Sequence, residues 1–195
     1  MGEVQDVLSS RGYAWLDGAT SSAIGAQLGR TGRSEVLAPR ERAAADPWSL
    51  SGAYGLRAFP WHTDGAIASK PPRWLLLRAV RLSHPTCTEL LDPHPELLAV
   101  LRRTVLRVTD RAGRVRHLPA AVYERDGWRL RWDPRTCRPR VGIPVEEMEK
   151  HPPSATIEWR RDRLLVVDNT RLLHRRPAVD GLAERIIERI YVWDD

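Results

Sequence analysis

His62 and Asp64 are potential metal ligands that lie two residues apart, in the stretch Phe59-Pro-Trp-His-Thr-Asp-Gly65. If this stretch is an extended strand, side chains at positions i and i+2 point to the same face, so both groups project from one edge. An imidazole and a carboxylate presented together can bind a metal ion. A surface histidine followed by an aspartate in a turn is the alternative, so a metal site needs support from other residues.

His174 is the third candidate ligand, and it ends the stretch Val166-Val-Asp-Asn-Thr-Arg-Leu-Leu-His174. Two histidines and one carboxylate on one face of a site, with the remaining positions open, form the facial triad of non-haem Fe(II) oxygenases. The open positions accept a chelating co-substrate and O₂. A buried core histidine is the alternative for His174, but its order in the chain relative to the later arginines favours a ligand.

Arg185 and Arg189 follow in the stretch RIIER. A guanidinium is a planar fork that binds a carboxylate through two parallel hydrogen bonds, so two such groups near the site would suit a dicarboxylate. Thr88 is a candidate for donating a hydroxyl to the same carboxylate. The alternatives are a surface charge for Arg185, an ion pair with a nearby glutamate for Arg189, and an ordinary strand position for Thr88.

At these motifs the sequence resembles the taurine dioxygenase-like (TauD/TfdA) family of Fe(II)- and 2-oxoglutarate-dependent dioxygenases. FPWHTD matches the family's H-T-D/E pattern, and RIIER matches its terminal R-x-x-x-R pattern. Asp168-Asn-Thr-Arg-Leu-Leu-His174 is similar to the D-N-R-x-x-x-H element, with Thr170 where arginine is usual. Pro85-Thr-Cys-Thr88-Glu-Leu-Leu-Asp92 is similar to G-G-x-T-x-F-x-D but lacks both glycines and the aromatic residue.

The resemblance implies three Fe(II) ligands, which are His62, Asp64 and His174. It implies that Arg185 and Thr88 hold the distal carboxylate of 2-oxoglutarate. It places Arg189 near the other end of 2-oxoglutarate or near an anionic group of the substrate. The implied fold is a double-stranded β-helix, which is a jelly-roll, cupin-like barrel.

The implied activity is the oxidation of an unactivated C–H bond of a small metabolite by O₂, with release of succinate and CO₂. Halogenases of this class lack the carboxylate ligand, so Asp64 favours hydroxylation. Three alternatives remain open from the residues: a nucleic-acid- or protein-modifying dioxygenase, a non-catalytic jelly-roll that binds a small carboxylate, and a zinc hydrolase. A zinc hydrolase would leave the late arginines without a role.

The pattern of apolar residues independently predicts a mainly β fold with flanking helices. Strands are predicted at residues 12–18, 74–82 and 185–193, helices at 21–28 and 95–103, and hairpin-like units within 106–118, 122–132 and 156–168. Many short strands separated by turns favour a sandwich or jelly-roll barrel, whose mouth can hold a ligand. The polar segment 30–56 is predicted to be irregular and is a candidate for a mobile lid.

Three tryptophans are candidates for an apolar wall of the substrate site. Trp61 is adjacent to a predicted ligand, and Trp128 and Trp132 share a face if their strand is regular. Packing in the core is the alternative for all three. The segment with Arg135 and Arg138 lies where relatives commonly contact substrate, so the resemblance makes both arginines candidates for binding an anionic group.

The chain has 195 residues and a formal net charge of +6, and its only lysines are Lys70 and Lys150. This length predicts one domain over residues 1–195. The arginines are spread along the chain rather than clustered in a basic stripe, which disfavours a nucleic-acid partner. A small-molecule substrate, anionic or amino-acid-like, fits the arginine excess better. The sequence makes no prediction about oligomeric state.

Cys87 and Cys137 are too few and too far apart for a disulfide framework, so both are predicted to be reduced thiols. The sequence has no apolar run of membrane-spanning length, and the N-terminal stretch lacks an apolar signal segment. We therefore expect a cytoplasmic protein without a membrane partner.

Overall fold

The structure is a computed structural model that describes residues 2–124, 127–180 and 184–194. Its helices are α1 (Gly2–Arg11), α2 (Ser21–Leu28), α3 (Leu50–Tyr54), α4 (Pro95–Arg103) and α5 (Val145–Met148), and a 3₁₀ turn covers Arg42–Ala44. Its strands are β1 (Tyr13–Asp17), β2 (Arg30–Thr31), β3 (Glu35–Leu37), β4 (Trp74–Leu82), β5 (Cys87–Leu91), β6 (Val105–Thr109), β7 (Val115–Pro119), β8 (Ala121–Glu124), β9 (Gly127–Leu130), β10 (Cys137–Val141), β11 (Ala155–Glu158), β12 (Arg163–Asp168), β13 (Leu173–Arg175) and β14 (Arg185–Trp193). The predicted mainly β chain with flanking helices is confirmed.

Two antiparallel sheets enclose the core cluster that packs against the inner face of β14. The larger sheet has the order β1-β12-β4-β14-β2, with β3 also paired to β14, and the smaller has the order β11-β5-β13. Buried side chains from both sheets pack together, among them Leu77 of β4, Leu90 of β5 and Leu165 of β12. This packing of one sheet on another buries apolar surface that neither sheet could bury alone.

The remaining strands form a sheet of order β10-β6-β7 and the two-stranded β8-β9 hairpin. The turn predicted between β8 and β9 falls partly on residues 125–126, which lie outside the described residues.

Four elements have the predicted bounds, namely α2, α4, β4 and β14, and β1 lies within the predicted strand 12–18. Within the described residues, no helix is both long and apolar enough to cross a membrane.

The hairpin predicted within residues 156–168 was wrong. β11 pairs with β5 in the smaller sheet, whereas β12 pairs with β1 and β4 in the larger one. The physical reason is burial: β12 packs apolar side chains on both of its faces, Leu165 towards one core cluster and Leu164 towards another. A strand buried on both faces belongs in the middle of a sheet, so the chain crosses between sheets here.

The segment 30–56 is more regular than predicted. β2 and β3 pair with β14 at the edge of the larger sheet, and α3 follows with a Ser49 cap that accepts a hydrogen bond from Gly52 N over 2.9 Å. These contacts place Glu35 on β3 directly beside Arg189 on β14. The segment thus adds two short edge strands to β14, one of them next to Arg189.

Alternation along β14 decides which side chains reach the interior. Ile187 and Tyr191 pack in the cluster between the two sheets, whereas Ile190 and Val192 pack in the cluster on the other face, which includes Leu8 of α1. Since residues at i and i+2 share a face, β14 also turns its arginines at positions 185 and 189 inward. The strand therefore brings two cationic side chains into a mainly apolar interior.

Candidate metal centre

His62 and His174 face each other across a short antiparallel bridge. His62 N donates to His174 O over 3.1 Å, and His174 N donates to His62 O over 2.9 Å. Residues that exchange both backbone hydrogen bonds present their side chains on the same face of the sheet. The two imidazole rings accordingly lie with their centroids 4.2 Å apart.

Asn169 holds the backbone of Asp64. Asp64 N donates to Asn169 Oδ1 over 2.7 Å, and Asn169 Nδ2 donates to Asp64 O and to Pro72 O, each over 2.9 Å. The side-chain amide thus takes the place of a neighbouring strand at a point where the chain leaves regular structure. All three of these residues are buried, so each unmade bond would leave an unsatisfied polar group.

The three predicted ligands come together as a cluster. Asp64 Oδ1 lies 3.8 Å from His62 Nε2 and 4.0 Å from His174 Nε2, and one ligand atom from each residue lies within 4.8 Å of the others. His62 Nδ1 lies 2.9 Å from Pro60 O, and a carbonyl oxygen only accepts, so Nδ1 carries the hydrogen. In a neutral imidazole this leaves the lone pair on Nε2, the atom that faces Asp64.

The protonation states of the cluster suit a metal ion. Burial lowers the pKa of His62, and burial together with the nearby His62 lowers the pKa of His174 to about 3. Burial opposes ionisation of Asp64, but the positive charge of Arg189 and the other neighbours outweigh it and lower its pKa to about 2. Two neutral imidazoles and one carboxylate on one face are the donor set of a divalent transition metal, so the residues fit Fe(II).

The second oxygen of Asp64 has other partners. Arg189 Nη1 lies 3.3 Å from Asp64 Oδ2, and the Tyr191 hydroxyl donates to the same atom over 3.0 Å. Arg189 also pairs with Glu35 through Nη2. Arg189 therefore lies next to the metal cluster, but its guanidinium is shared between two carboxylates of the protein. An anionic group of a ligand would have to compete with both.

Arg185 is the predicted carboxylate-binding residue for which the described residues provide no partner. It is buried, and in the described part of the chain its guanidinium makes no hydrogen bond or ion pair. Burial lowers its pKa to about 10, which still leaves it charged at neutral pH. A buried cation without a counter-ion is costly, so this position favours an anionic ligand.

Thr88 is buried on β5, where its hydroxyl accepts a hydrogen bond from Trp159 Nε1 over 3.0 Å. A hydroxyl that accepts one bond still has its own hydrogen to donate. Cys87, the preceding residue, lies close enough to influence the pKa of Arg185. The start of β5 thus lies near Arg185, although no hydrogen bond links Thr88 to Arg185 in the described residues.

Arg176 is a buried arginine near Arg185 that was not among the predicted site residues. It lies two residues after His174, is buried, and donates from Nη2 to Gly55 O over 2.9 Å and to Arg57 O over 3.1 Å. Burial and the nearby charge of Arg185 lower its pKa to about 10. Its partners are neutral carbonyls, so its charge is uncompensated by any carboxylate of the described residues.

A cavity of about 510 Å³ opens beside the cluster. Its lining includes five side chains already described: Asp64, Arg176, Arg185, Arg189 and Tyr191. Much of the remaining lining comes from residues within 35–51, which belong to the segment predicted as a lid. Arg135 also lines the cavity, where it pairs with Asp133 over 2.6 Å.

The three tryptophans do not line this cavity. Trp61 and Trp132 are 0% and 1% exposed and belong to the core cluster that also contains Leu101. Trp128 packs against the same cluster, with Arg102 over its ring at 5.5 Å. Their arrangement agrees with the core alternative.

Replacing Asn169 by alanine is expected to destabilise the protein by roughly 3 kcal/mol, because three buried backbone groups would each lose a partner. The free energy of unfolding from urea titration checks this value. Gln27→Ala, at an exposed position of α2, is the control and should change the free energy by less than about 0.5 kcal/mol. Equal effects of the two substitutions would contradict a structural role for Asn169.

No protein-family model and no curated protein sequence matches the chain, but solved structures do. An asparagine oxygenase in complex with Fe(II), 3-hydroxyasparagine and succinate has a TM-score of 0.76 at 15% identity, over 100% of this chain and 80% of that one. A taurine dioxygenase from Burkholderia xenovorans has a TM-score of 0.70 at 17% identity, over 100% and 81%. The non-heme iron oxygenase OrfP, in complex with Fe and α-ketoglutaric acid, has a TM-score of 0.69 at 19% identity, over 100% and 80%. The chain therefore has the jelly-roll fold of these oxygenases, as predicted.

Proposed function

We propose that the chain, residues 1–195, is one Fe(II)- and 2-oxoglutarate-dependent dioxygenase domain. Its reaction would be the oxidation, most simply the hydroxylation, of an unactivated C–H bond of a small-molecule metabolite, with release of succinate and CO₂. The observation that carries the proposal is that Asp64 of the His62–Asp64–His174 cluster lines the same cavity as Arg185, whose buried guanidinium has no partner among the described residues.

The cluster supplies the metal ligands in this proposal. His62 and His174 would bind through Nε2 and Asp64 through Oδ1, which are the atoms that already face one another. When bound, Fe(II) supplies the redox chemistry with O₂ that protein side chains lack. The backbone bridge between the histidines and the Asn169 contacts to Asp64 hold the ligands in place before the metal arrives.

The charges around the cavity support a dianionic co-substrate. Arg185 and Arg176 both line the cavity, both are buried, and neither is paired with a carboxylate of the described residues. Two neighbouring cations without counter-ions raise the free energy of the unliganded protein, and a dicarboxylate would relieve that cost. Arg185 is the residue we assign to the distal carboxylate of 2-oxoglutarate, and the Thr88 hydroxyl is its proposed second donor.

The similar structures support the same co-substrate. The asparagine oxygenase structure contains Fe(II) and succinate, and the OrfP structure contains Fe and α-ketoglutaric acid. Both cover the full length of this chain, including the strands that carry the cluster and Arg185.

The proposed primary substrate is a small molecule that is anionic or amino-acid-like. Arg135 and Asp133 lie on the wall of the cavity as an ion pair, and a zwitterion can bind such a pair with each of its charges. Arg189 remains a candidate for contact with an anionic group, in competition with its bonds to Asp64 and Glu35. The names of the asparagine oxygenase and the taurine dioxygenase are in keeping with a small-molecule substrate.

We also propose a cytoplasmic location. Cys87 and Cys137 are both free thiols, which is typical of a reducing compartment.

Anaerobic titration of the metal-free protein with Fe(II) and 2-oxoglutarate tests the proposal. We expect the weak visible charge-transfer absorption of an iron–2-oxo acid chelate, appearing only when protein, metal and co-substrate are all present. Under air, the loaded protein should form succinate from 2-oxoglutarate. Binding of iron without 2-oxoglutarate, or of neither, would contradict the proposed function and favour a binding protein or a hydrolase.

A further inference from the structure

Tyr191 lies beside the metal-binding carboxylate on the inner face of β14. Its hydroxyl donates to Asp64 Oδ2 over 3.0 Å, and Arg189 donates to the same oxygen over 3.3 Å. The oxygen within 4.0 Å of both imidazole Nε2 atoms is the other one, Oδ1. One oxygen of Asp64 is thus held by protein donors, and the other is left for a metal ion.

The Tyr191 ring is fixed from several sides. The Arg189 guanidinium lies over the ring with its central carbon 4.7 Å from the centroid, and the Trp193 ring meets it edge-on at 6.1 Å. The ring also packs against the core cluster between the two sheets. Packing therefore sets the position of the hydroxyl, and the hydroxyl in turn sets the rotation of the carboxylate.

Tyr191 and Arg189 differ in how firmly they are committed to Asp64. Arg189 divides its guanidinium between Asp64 and Glu35, and the Glu35 side chain is about half exposed. The Tyr191 hydroxyl has Asp64 as its one hydrogen-bond partner within the described residues. A phenol hydroxyl has one hydrogen to donate and a carboxylate oxygen only accepts, so Tyr191 is the donor in this bond.

We infer that Tyr191 is a positioning residue of the metal site: its hydroxyl orients Asp64 so that Oδ1 alone is presented to the metal. A carboxylate held in this way binds through one oxygen, which leaves a further coordination position open for co-substrate or O₂. The inference rests on the proposed function, because it concerns how the metal of that site is held.

The substitution Tyr191→Phe tests this, since it removes the hydroxyl and keeps the ring. Co(II) is the probe, added alone to the metal-free protein and followed by its visible absorption. We expect the affinity for Co(II) to fall on the order of 10-fold and the absorption bands to change, as for loss of a hydrogen-bonded partner of a ligand. The melting temperature should shift by no more than about 4 °C, the size of one hydrogen bond.

Tyr13→Phe is the matched control. Tyr13 packs against the same core cluster from β1, and within the described residues its hydroxyl makes no hydrogen bond. The control should bind Co(II) with unchanged affinity and spectrum.

Three results would overturn the inference while the proposed function stands. The first is unchanged Co(II) binding by Tyr191→Phe, and the second is a loss of Co(II) affinity in Tyr13→Phe as large as in Tyr191→Phe. The third is that Tyr191→Phe unfolds while Tyr13→Phe stays folded, which would mean that the hydroxyl serves the stability of the fold. Failure of the unaltered protein to bind Co(II) is a different result, because it would contradict the metal site itself and the inference with it.

Discussion

Replacing His174 by alanine is expected to lower the affinity for Fe(II) by at least about 100-fold and to abolish succinate formation. Loss of an outer partner of a metal ligand already costs about 10- to 100-fold, and loss of the ligand itself removes one of three protein donors. The remaining His62 and Asp64 would be two donors without a replacement, because the cluster contains no fourth histidine, cysteine, aspartate or glutamate among the described residues. Metal titration and 2-oxoglutarate turnover measure the two effects.

His117→Ala is the control for this substitution, because His117 is an exposed histidine of β7. It should bind iron and turn over 2-oxoglutarate like the unaltered protein. Added imidazole should restore part of the activity of His174→Ala, since the substitution leaves a space of the shape of the lost ring. Full 2-oxoglutarate turnover by His174→Ala without imidazole would show that the metal is bound elsewhere, and the assignment of the cluster would be wrong.

The period of two along a strand explains both what the sequence predicted and part of what it missed. The rule placed His62 and Asp64 on one face, and their ligand atoms do lie 3.8 Å apart, although Asp64 lies in a turn after the His62 bridge and not in a strand. The same rule applied to His174 would have put Arg176 on the ligand face. Applied to Trp61, it would have excluded that ring from the site, because neighbouring residues point to opposite faces.

The approach of His174 to His62 could not be derived from spacing. It depends on a bridge between two segments far apart in sequence, and only the resemblance to a family supplied that pairing. The role of Tyr191 was hidden for the same reason, because it depends on the distance between β14 and Asp64. Pairings of this kind depend on the packing of whole sheets, which the local pattern of apolar residues does not encode.

Two errors in the fold have local causes. Residues Leu164-Leu-Val-Val167 form a continuous apolar run rather than an alternating one, and such a run is typical of a central strand buried on both faces. Giving more weight to that run than to the nearby turn would have placed β12 in the larger sheet. α1 was not predicted at all, and its apolar face consists of little more than Val4, Val7 and Leu8.

Replacing Arg185 by methionine is expected to weaken 2-oxoglutarate binding on the order of 100-fold. A bidentate, charge-assisted contact in a buried site contributes a few kcal/mol, and methionine keeps the packing of the stem without the charge. The same change should leave the melting temperature of the unliganded protein unaltered or raise it, because it removes a buried cation that has no partner in the described part of the chain. Arg81→Met is the control, since Arg81 forms an exposed ion pair with Glu184.

The choice of co-substrate identifies the group that Arg185 recognises. 2-Oxopentanoate keeps the 2-oxo acid that binds the metal and lacks the distal carboxylate, so the unaltered protein should prefer 2-oxoglutarate to it by about 100-fold. Arg185→Met should lose most of this preference while Fe(II) affinity stays unchanged, because the substitution affects only the distal end of the ligand. A variant that still prefers 2-oxoglutarate as strongly would show that another cation, such as Arg176, binds the distal carboxylate, and the role assigned to Arg185 would be wrong.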